Sequence, residues 1–315
     1  SWKTLQLKSS LRTLRNHALV NSCHKSSTRE VRNMSRKFTR TWRTVLATAA
    51  IALLAGSVVT TTVQASDKKN ETYNRIKKTD KMVWGVKGDT KLMGLMNIKT
   101  GKLEGFDVDM AKEITKRVNP KAKTELTQIT SGTRIPMLLN GNIDAIIATM
   151  SITPDRAKVV DFSKPYFNAG QSILVKSDSG IKNIYDLNKP GARILAVAGS
   201  TSAVTVKKFA PKAKVVALSD YATALTALKA GQGDALTTDN GILYGMAAGS
   251  KSLEVVGGPF TKEPYGVAMD KNNPKLVKKV NKAIDEIKED GTYAKLAKKW
   301  FSGVEGMNWK ELAKE

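Results

Sequence analysis

A chain of 315 residues with 41% hydrophobic content is long enough for one or two domains and apolar enough to build a core, which excludes a wholly disordered chain. Its 52 Lys+Arg against 28 Asp+Glu give a formal net charge of +24, a balance that suits contact with polyanions. Its one Cys is Cys23 and its two His are His17 and His24, all near the N-terminus.

Residues 1–33 are basic and lack apolar periodicity, and we read them as an upstream extension ahead of a start at Met34. From Met34 the pattern changes. Arg36, Lys37, Arg40 and Arg43 precede an apolar run from Val45 to Val59, and Val63-Gln64-Ala65 supplies small residues at both cleavage positions. Residues 34–65 therefore read as a secretory signal peptide. The run is short for a membrane span, and Gly56 and Ser57 interrupt it. Ser57 follows Leu53-Leu54-Ala55-Gly56, where a lipoprotein would carry the lipid-bearing cysteine. The expectation is a secreted, periplasmic or cell-surface protein with no lipid anchor and no disulfide. Beyond residue 65 the chain keeps 41 basic and 27 acidic residues, about +14. That charge suits electrostatic attachment to anionic cell-envelope polymers. Nucleic acid is not expected, because the lysines are spread along the chain and do not form an aromatic-interleaved patch.

Residues 66–79 are polar and read as a linker. Strand and helix signals then alternate. Met82–Val86 reads as a buried strand, and residues 107–118 as an amphipathic helix with Val108, Ala111, Ile114 and Val118 on one face. A short helix at 135–139 ends at Asn140-Gly141, and residues 143–148 form a central strand. The pattern repeats with strands at 194–197, 215–218 and 234–237. Helices follow Gly199-Ser200-Thr201 (with Val204, Val206 and Phe209), span 221–228, and span 242–248. Two further helices, at 275–288 and 293–301, are split by Asp290-Gly291. Two such halves of roughly 90 residues each predict two α/β lobes with mostly parallel sheets.

From Met34 onward there is no His and no Cys. This removes His- or Cys-based zinc sites, cysteine nucleophiles, histidine acid–base catalysis and Ser-His-Asp triads together. Gly231-Gln232-Gly233 lacks the third glycine of a dinucleotide fingerprint, since Leu236 stands there, and no Walker A sequence occurs. No catalytic residue, metal or cofactor is expected, and the chain is not read as an enzyme.

Three segments carry a resemblance. They are Gly105-Phe106-Asp107-Val108-Asp109-Met110, then Ser151-Ile152-Thr153-Pro154-Asp155-Arg156 running on to Asp161-Phe162-Ser163-Lys164-Pro165-Tyr166, and Gly291-Thr292-Tyr293 with Lys298-Lys299-Trp300-Phe301. Over residues 80–303 the chain resembles the polar amino-acid branch of the bacterial extracellular solute-binding proteins, the glutamine and glutamate/aspartate binders of ABC importers. The resemblance implies a two-lobed periplasmic-binding-protein-like clamp with two hinge crossings, near Ala169–Gln171 and Tyr265-Gly266. Lobe 1 would comprise 80–170 and 267–315, and lobe 2 would comprise 171–266. Its partners would be a small amino acid and a membrane permease, and the protein would be a monomer.

The resemblance also implies a site. Arg156 matches the arginine that forks onto the α-carboxylate, a task that suits parallel guanidinium donors. Ser200 and Thr201, before a helix, would add donors to the same anion, or simply cap that helix. Asp239 would pair with the α-ammonium, or plainly cap the helix that follows. The Thr149 carbonyl and Ser151 hydroxyl would complete the ammonium shell. Arg134 matches an arginine aimed at a distal carboxylate, and Lys87 would assist or be one surface lysine among many. Both favour glutamate or aspartate over glutamine. The segment Asp89-Thr90-Lys91-Leu92-Met93-Gly94-Leu95-Met96 departs from the family by lacking aromatics that stack on the ligand, which leaves cystine open. Two roles besides transport are compatible with the same fold, a basic surface adhesin and a cyclising or dehydrating enzyme. The enzyme would need an acid over the ligand beyond Asp239.

Overall fold

The computed structural model describes residues 69–314. The extension at 1–33 and the signal-peptide segment at 34–65 lie outside the described residues. The polar stretch read as a linker instead holds a helix, α1 (Glu71–Thr79). Its one buried side chain, Ile76, enters the lobe-1 core, and Arg75 pairs with the buried Asp144. Asn70 ties the helix start to the far end of the chain, its N–H reaching the Asn272 carbonyl at 2.6 Å.

β1 (Lys81–Val86), with Met82, Trp84 and Val86 all buried, lies inside the first sheet between β5 (Lys123–Gln128) and β6 (Ala145–Ile146). It runs parallel to both. A small antiparallel sheet of β2 (Asp89–Thr90), β3 (Gly94–Asn97) and β4 (Lys102–Glu104) leads into α2 (Phe106–Val118). The short helices α3 (Arg134–Leu139) and α4 (Pro154–Ala157) flank β6, and β7 (Asp161–Phe162) closes the edge. The chain then crosses through β8 (Phe167–Ala169).

The second sheet repeats the plan. β10 (Arg193–Val197) pairs parallel with β11 (Lys214–Leu218) and β12 (Ala235–Asp239). β9 (Gln171–Lys176) lies antiparallel between β12 and β13 (Leu253–Val256). Helices α5 (Ser202–Thr205), α6 (Tyr221–Lys229) and α7 (Asn240–Ala247) pack beside it. The return crossing is β14 (Glu263–Tyr265), paired antiparallel with β8. β15 (Ala268–Met269) re-enters the first sheet antiparallel to β6 and β7. α8 (Pro274–Glu289), α9 (Thr292–Phe301) and α10 (Trp309–Leu312) finish the chain.

Both sheets are thus half parallel and half antiparallel, where mostly parallel sheets were expected. In each, the strand next to a crossing, β9 or β15, runs against its neighbours, because a chain returning directly from the other lobe enters from the cleft side. The predicted central strand over 143–148 narrows to β6, and Val204 faces solvent instead of the core.

The three motif segments meet in the lobe-1 core. Phe106 packs edge-on against Tyr293 at 5.5 Å between ring centroids, and at a tilt against Phe301 at 5.1 Å. Trp84 is fully buried and donates to the Thr115 hydroxyl at 2.8 Å. Trp84→Ala is expected to destabilise the fold by about 3–5 kcal/mol through the cavity it leaves. The midpoint of chemical denaturation would show this, and an unchanged midpoint would contradict the packing.

Candidate ligand-binding site

The carboxyl ends of β1, β6, β10 and β12 all face the cleft between the lobes, the usual place for ligands in open α/β sheets. Lys87 follows β1. Thr149 and Ser151 follow β6. Ser200 and Thr201 follow β10, and Asp239 ends β12. All eight residues expected from sequence therefore lie on cleft-facing strand ends or on the first turns of α3 and α4.

Pro154 at the first helical position and the Thr153 hydroxyl, which accepts the Arg156 N–H at 3.2 Å, start α4 and fix Arg156. Arg156 Nη1 donates to the Ser151 carbonyl at 2.8 Å, and Nη2 crosses the cleft to the Gly199 carbonyl at 3.0 Å. Arg134 opens α3 and is buried. It donates from Nη1 to the Ala148 carbonyl at 2.9 Å and from Nη2 to the same Gly199 carbonyl at 3.4 Å. Its Nε has no partner. Burial, and then the charge of Arg156, push Arg134 down to about 9. Two cations thus converge on one carbonyl of the opposite lobe.

Asp239 occupies the position just before α7, yet its side chain does not cap that helix. Instead Oδ2 accepts the Tyr265 hydroxyl at 2.7 Å, and the buried Oδ1 has no partner. The expectation of a plain cap therefore fails. Burial is the main cause lifting the Asp239 carboxyl to about 7; Glu263 adds to it, and the Tyr265 hydrogen bond, Arg134 and Arg156 oppose it.

Thr149 has φ +47, a strained conformation for a β-branched residue. The fully buried Asp107 holds it there, accepting the Thr149 N–H at 2.8 Å and the Tyr166 hydroxyl at 2.9 Å. Ser151 forms a bridge with Tyr265. The Ser200 hydroxyl donates to the Val197 carbonyl at 2.6 Å. The Thr201 hydroxyl accepts from Gln171 Nε2 at 3.0 Å and donates to Glu263 Oε2 at 3.2 Å. Thr201 makes no side-chain cap on α5.

Lys87 is no surface lysine. It is 0% exposed, donates to the Ser131 hydroxyl at 2.7 Å and lies 4.9 Å from the Tyr221 ring centre. Burial, then Arg134, pushes its amine down to about 7. Beside it, Asp89 Oδ2 accepts the Tyr221 N–H at 2.8 Å across the cleft, while its buried Oδ1 has no partner.

Sequence reasoning missed Asp89, Asp107, Gln171, Tyr221, Glu263 and Tyr265. Asp89 sits in the very segment that lacks aromatics, and its carboxylate accepts the backbone N–H of Tyr221, which opens α6 beside the second sheet. Asp107 is visible in its motif but passes as a helix-face residue.

The family model of bacterial extracellular solute-binding proteins, family 3, matches residues 82–303. The chain belongs to this family. This solute-binding protein is 50% identical over 255 residues to the "ABC transporter glutamine-binding protein GlnH" of Bacillus subtilis (strain 168), covering 80% of this chain and 93% of the relative. It is 47% identical over 252 residues to a "Glutamine-binding protein" of Geobacillus stearothermophilus, covering 75% and 96%. Among solved structures it resembles an ancestral amino-acid-binding protein described as a precursor of cyclohexadienyl dehydratase. The TM-score is 0.68 at 39% identity, covering 73% of this chain and 100% of the other. The two-lobed solute-binding fold is therefore established.

Proposed function

We propose that this protein is the extracellular glutamine-binding component of an ABC importer, which encloses glutamine between its lobes, passes it to a membrane permease and leaves it chemically unchanged. The observation that carries the choice of ligand is the unpartnered, buried Oδ1 of Asp89 beside Lys87 and Ser131. A side-chain amide offers N–H to Asp89 and a carbonyl to the Lys87 ammonium. A second carboxylate would meet the Asp89 charge in a buried site, a juxtaposition that costs several kcal/mol. The names of the two Bacillus-type relatives support the same ligand. Arg156 and Asp239 take the two charges of the zwitterion, with Thr149, Ser151, Ser200 and Thr201 around them. Arg134, which donates to three backbone carbonyls, braces the arginine pair instead of reaching for a distal carboxylate. Residues 80–170 with 267–315 and residues 171–266 serve as the two closing bodies. The segment at 34–65 directs secretion, and Ser57 leaves no cysteine for a lipid anchor.

Calorimetric titration with glutamine, glutamate, aspartate and cystine tests the ligand. Glutamine is expected to bind tightest, ahead of glutamate by roughly a hundredfold, and Asp89→Asn is expected to narrow that gap. Equal affinity for the two, with the gap untouched by Asp89→Asn, would sink the amide reading.

A further inference from the structure

β14 is a hinge strand, yet two of its three side chains reach into the site. Glu263 and Tyr265 are two residues apart and so share a face of the strand. Tyr265 is buried, stacks on Phe167 of the paired strand at 5.4 Å, and donates its hydroxyl to Asp239 Oδ2 at 2.7 Å. That bond occupies one carboxylate oxygen and leaves Oδ1 free. Glu263 is buried in a nest of neutral donors. Its Oε1 accepts from Gln171 Nε2 at 2.8 Å and from the Thr261 hydroxyl at 3.3 Å, and its Oε2 accepts from Thr201 at 3.2 Å. Among the described residues none of the hydrogen bonds to Glu263 comes from a cation; its charge acts through space, on Arg156 and on Asp239.

We propose that Glu263 and Tyr265 are positioning residues that bias the charge on Asp239 in opposite directions, and so set the pH range over which the protein captures an amino acid. The inference rests on Asp239 as the partner of the ligand ammonium.

The groups facing Asp239 are few. Arg134 comes from α3, Arg156 from α4, Tyr221 from α6, and Glu263 and Tyr265 from β14. The guanidinium groups stay charged and the phenols neutral near neutral pH. A negative neighbour disfavours the Asp239 carboxylate, and a hydrogen bond donated to it favours it. The Asp239 carboxyl stands near 7 in the free protein. A bound ammonium favours its charged form, so affinity is full above that value and falls as pH drops through it, by up to about tenfold per unit.

The test is the pH dependence of glutamine affinity, by calorimetry from about pH 5 to pH 9, for the native protein, Glu263→Gln and Tyr265→Phe. Glu263→Gln removes the charge and is expected to move the fall in affinity to lower pH. Tyr265→Phe removes the hydrogen bond and is expected to move it to higher pH. Each shift should be on the order of one unit, or about tenfold in Kd on the acid side. Residues that only support the fold would weaken binding at every pH without moving the fall. Unmoved profiles, or shifts in the same direction, overturn the proposal. If Tyr265→Phe does not fold, the sign of the Glu263→Gln shift decides alone. If the native protein binds no glutamine, the ligand assignment has failed. The carbon-13 titration of the Asp239 carboxyl in the ligand-free variants then decides this inference, with the same opposite shifts expected.

Discussion

Asp239→Ala is expected to weaken glutamine binding by about 2–5 kcal/mol, which is roughly 30- to several-thousandfold in Kd. Asp239 is 4% exposed, and its unpartnered Oδ1 is the atom proposed to meet a bound ammonium. Without it, the ligand carries a positive charge into a site that already holds Arg134 and Arg156. The ligand-free fold should respond differently. The one side-chain hydrogen bond of Asp239 comes from Tyr265, so its removal leaves a buried phenol without an acceptor and is expected to cost the ligand-free fold about 1–3 kcal/mol. Calorimetry and thermal melting on the same variant separate the two effects. A large loss of melting temperature with affinity preserved would show that Asp239 supports the fold and not the ligand.

The second large effect is expected at Gly199. Its φ of +78 favours glycine, and a Cβ there would lie 2.6 Å from the Ser131 carbonyl oxygen and 2.8 Å from the Gly132 backbone of the opposite lobe. Backbone atoms cannot swing aside as a flexible side chain can. Gly199→Ala therefore carries two penalties. The left-handed conformation costs about 1–2 kcal/mol whether the lobes are open or shut. The contact with Ser131 and Gly132 acts only on the shut form and is expected to weaken glutamine binding by about 1–3 kcal/mol. Denaturation of the free protein reads the first, and the change in Kd reads the second. Small-angle scattering should show less compaction on adding glutamine than the native protein shows. Native compaction and affinity would rule out Gly199 as a point of close approach.

Much of this molecule is legible in its sequence because burial and periodicity coincide. In α2, Val108, Ala111, Ile114 and Val118 lie inward as their spacing predicts. The elements that escape have the opposite property. α1 buries one side chain, Ile76, so its polar sequence carries no stripe. β5 reads Lys-Thr-Glu-Leu-Thr-Gln at the sheet edge, where half-exposed positions remove both the apolar run and the alternation. The site divides along a similar line. Arg156 and Asp239 are legible as candidates because they sit in recognisable local contexts, a Thr-Pro-Asp-Arg helix start and a strand end. Tyr265 and Glu263 are not, because each acts across the cleft or hinge on residues far away in the chain, as the Tyr265–Asp239 bond shows. A tyrosine in a strand reads as core until its hydroxyl partner is known. Lys87 is legible only as one of two readings: in a lysine-rich chain a site lysine and a surface lysine look alike, and burial against Ser131 and Tyr221 sets it apart.

The shared use of the Gly199 carbonyl by Arg134 and Arg156 has a consequence for transport economy. Both guanidinium groups belong to the same lobe, so closure takes their charges out of water against a single dipole, which offsets only a fraction of the solvation they lose. At the proposed site an arriving α-carboxylate would supply a counter-charge, so that shutting without cargo is opposed and shutting around it is favoured. A permease that engages the shut shape would then meet mostly loaded carriers, and few rounds of ATP hydrolysis would run without moving an amino acid.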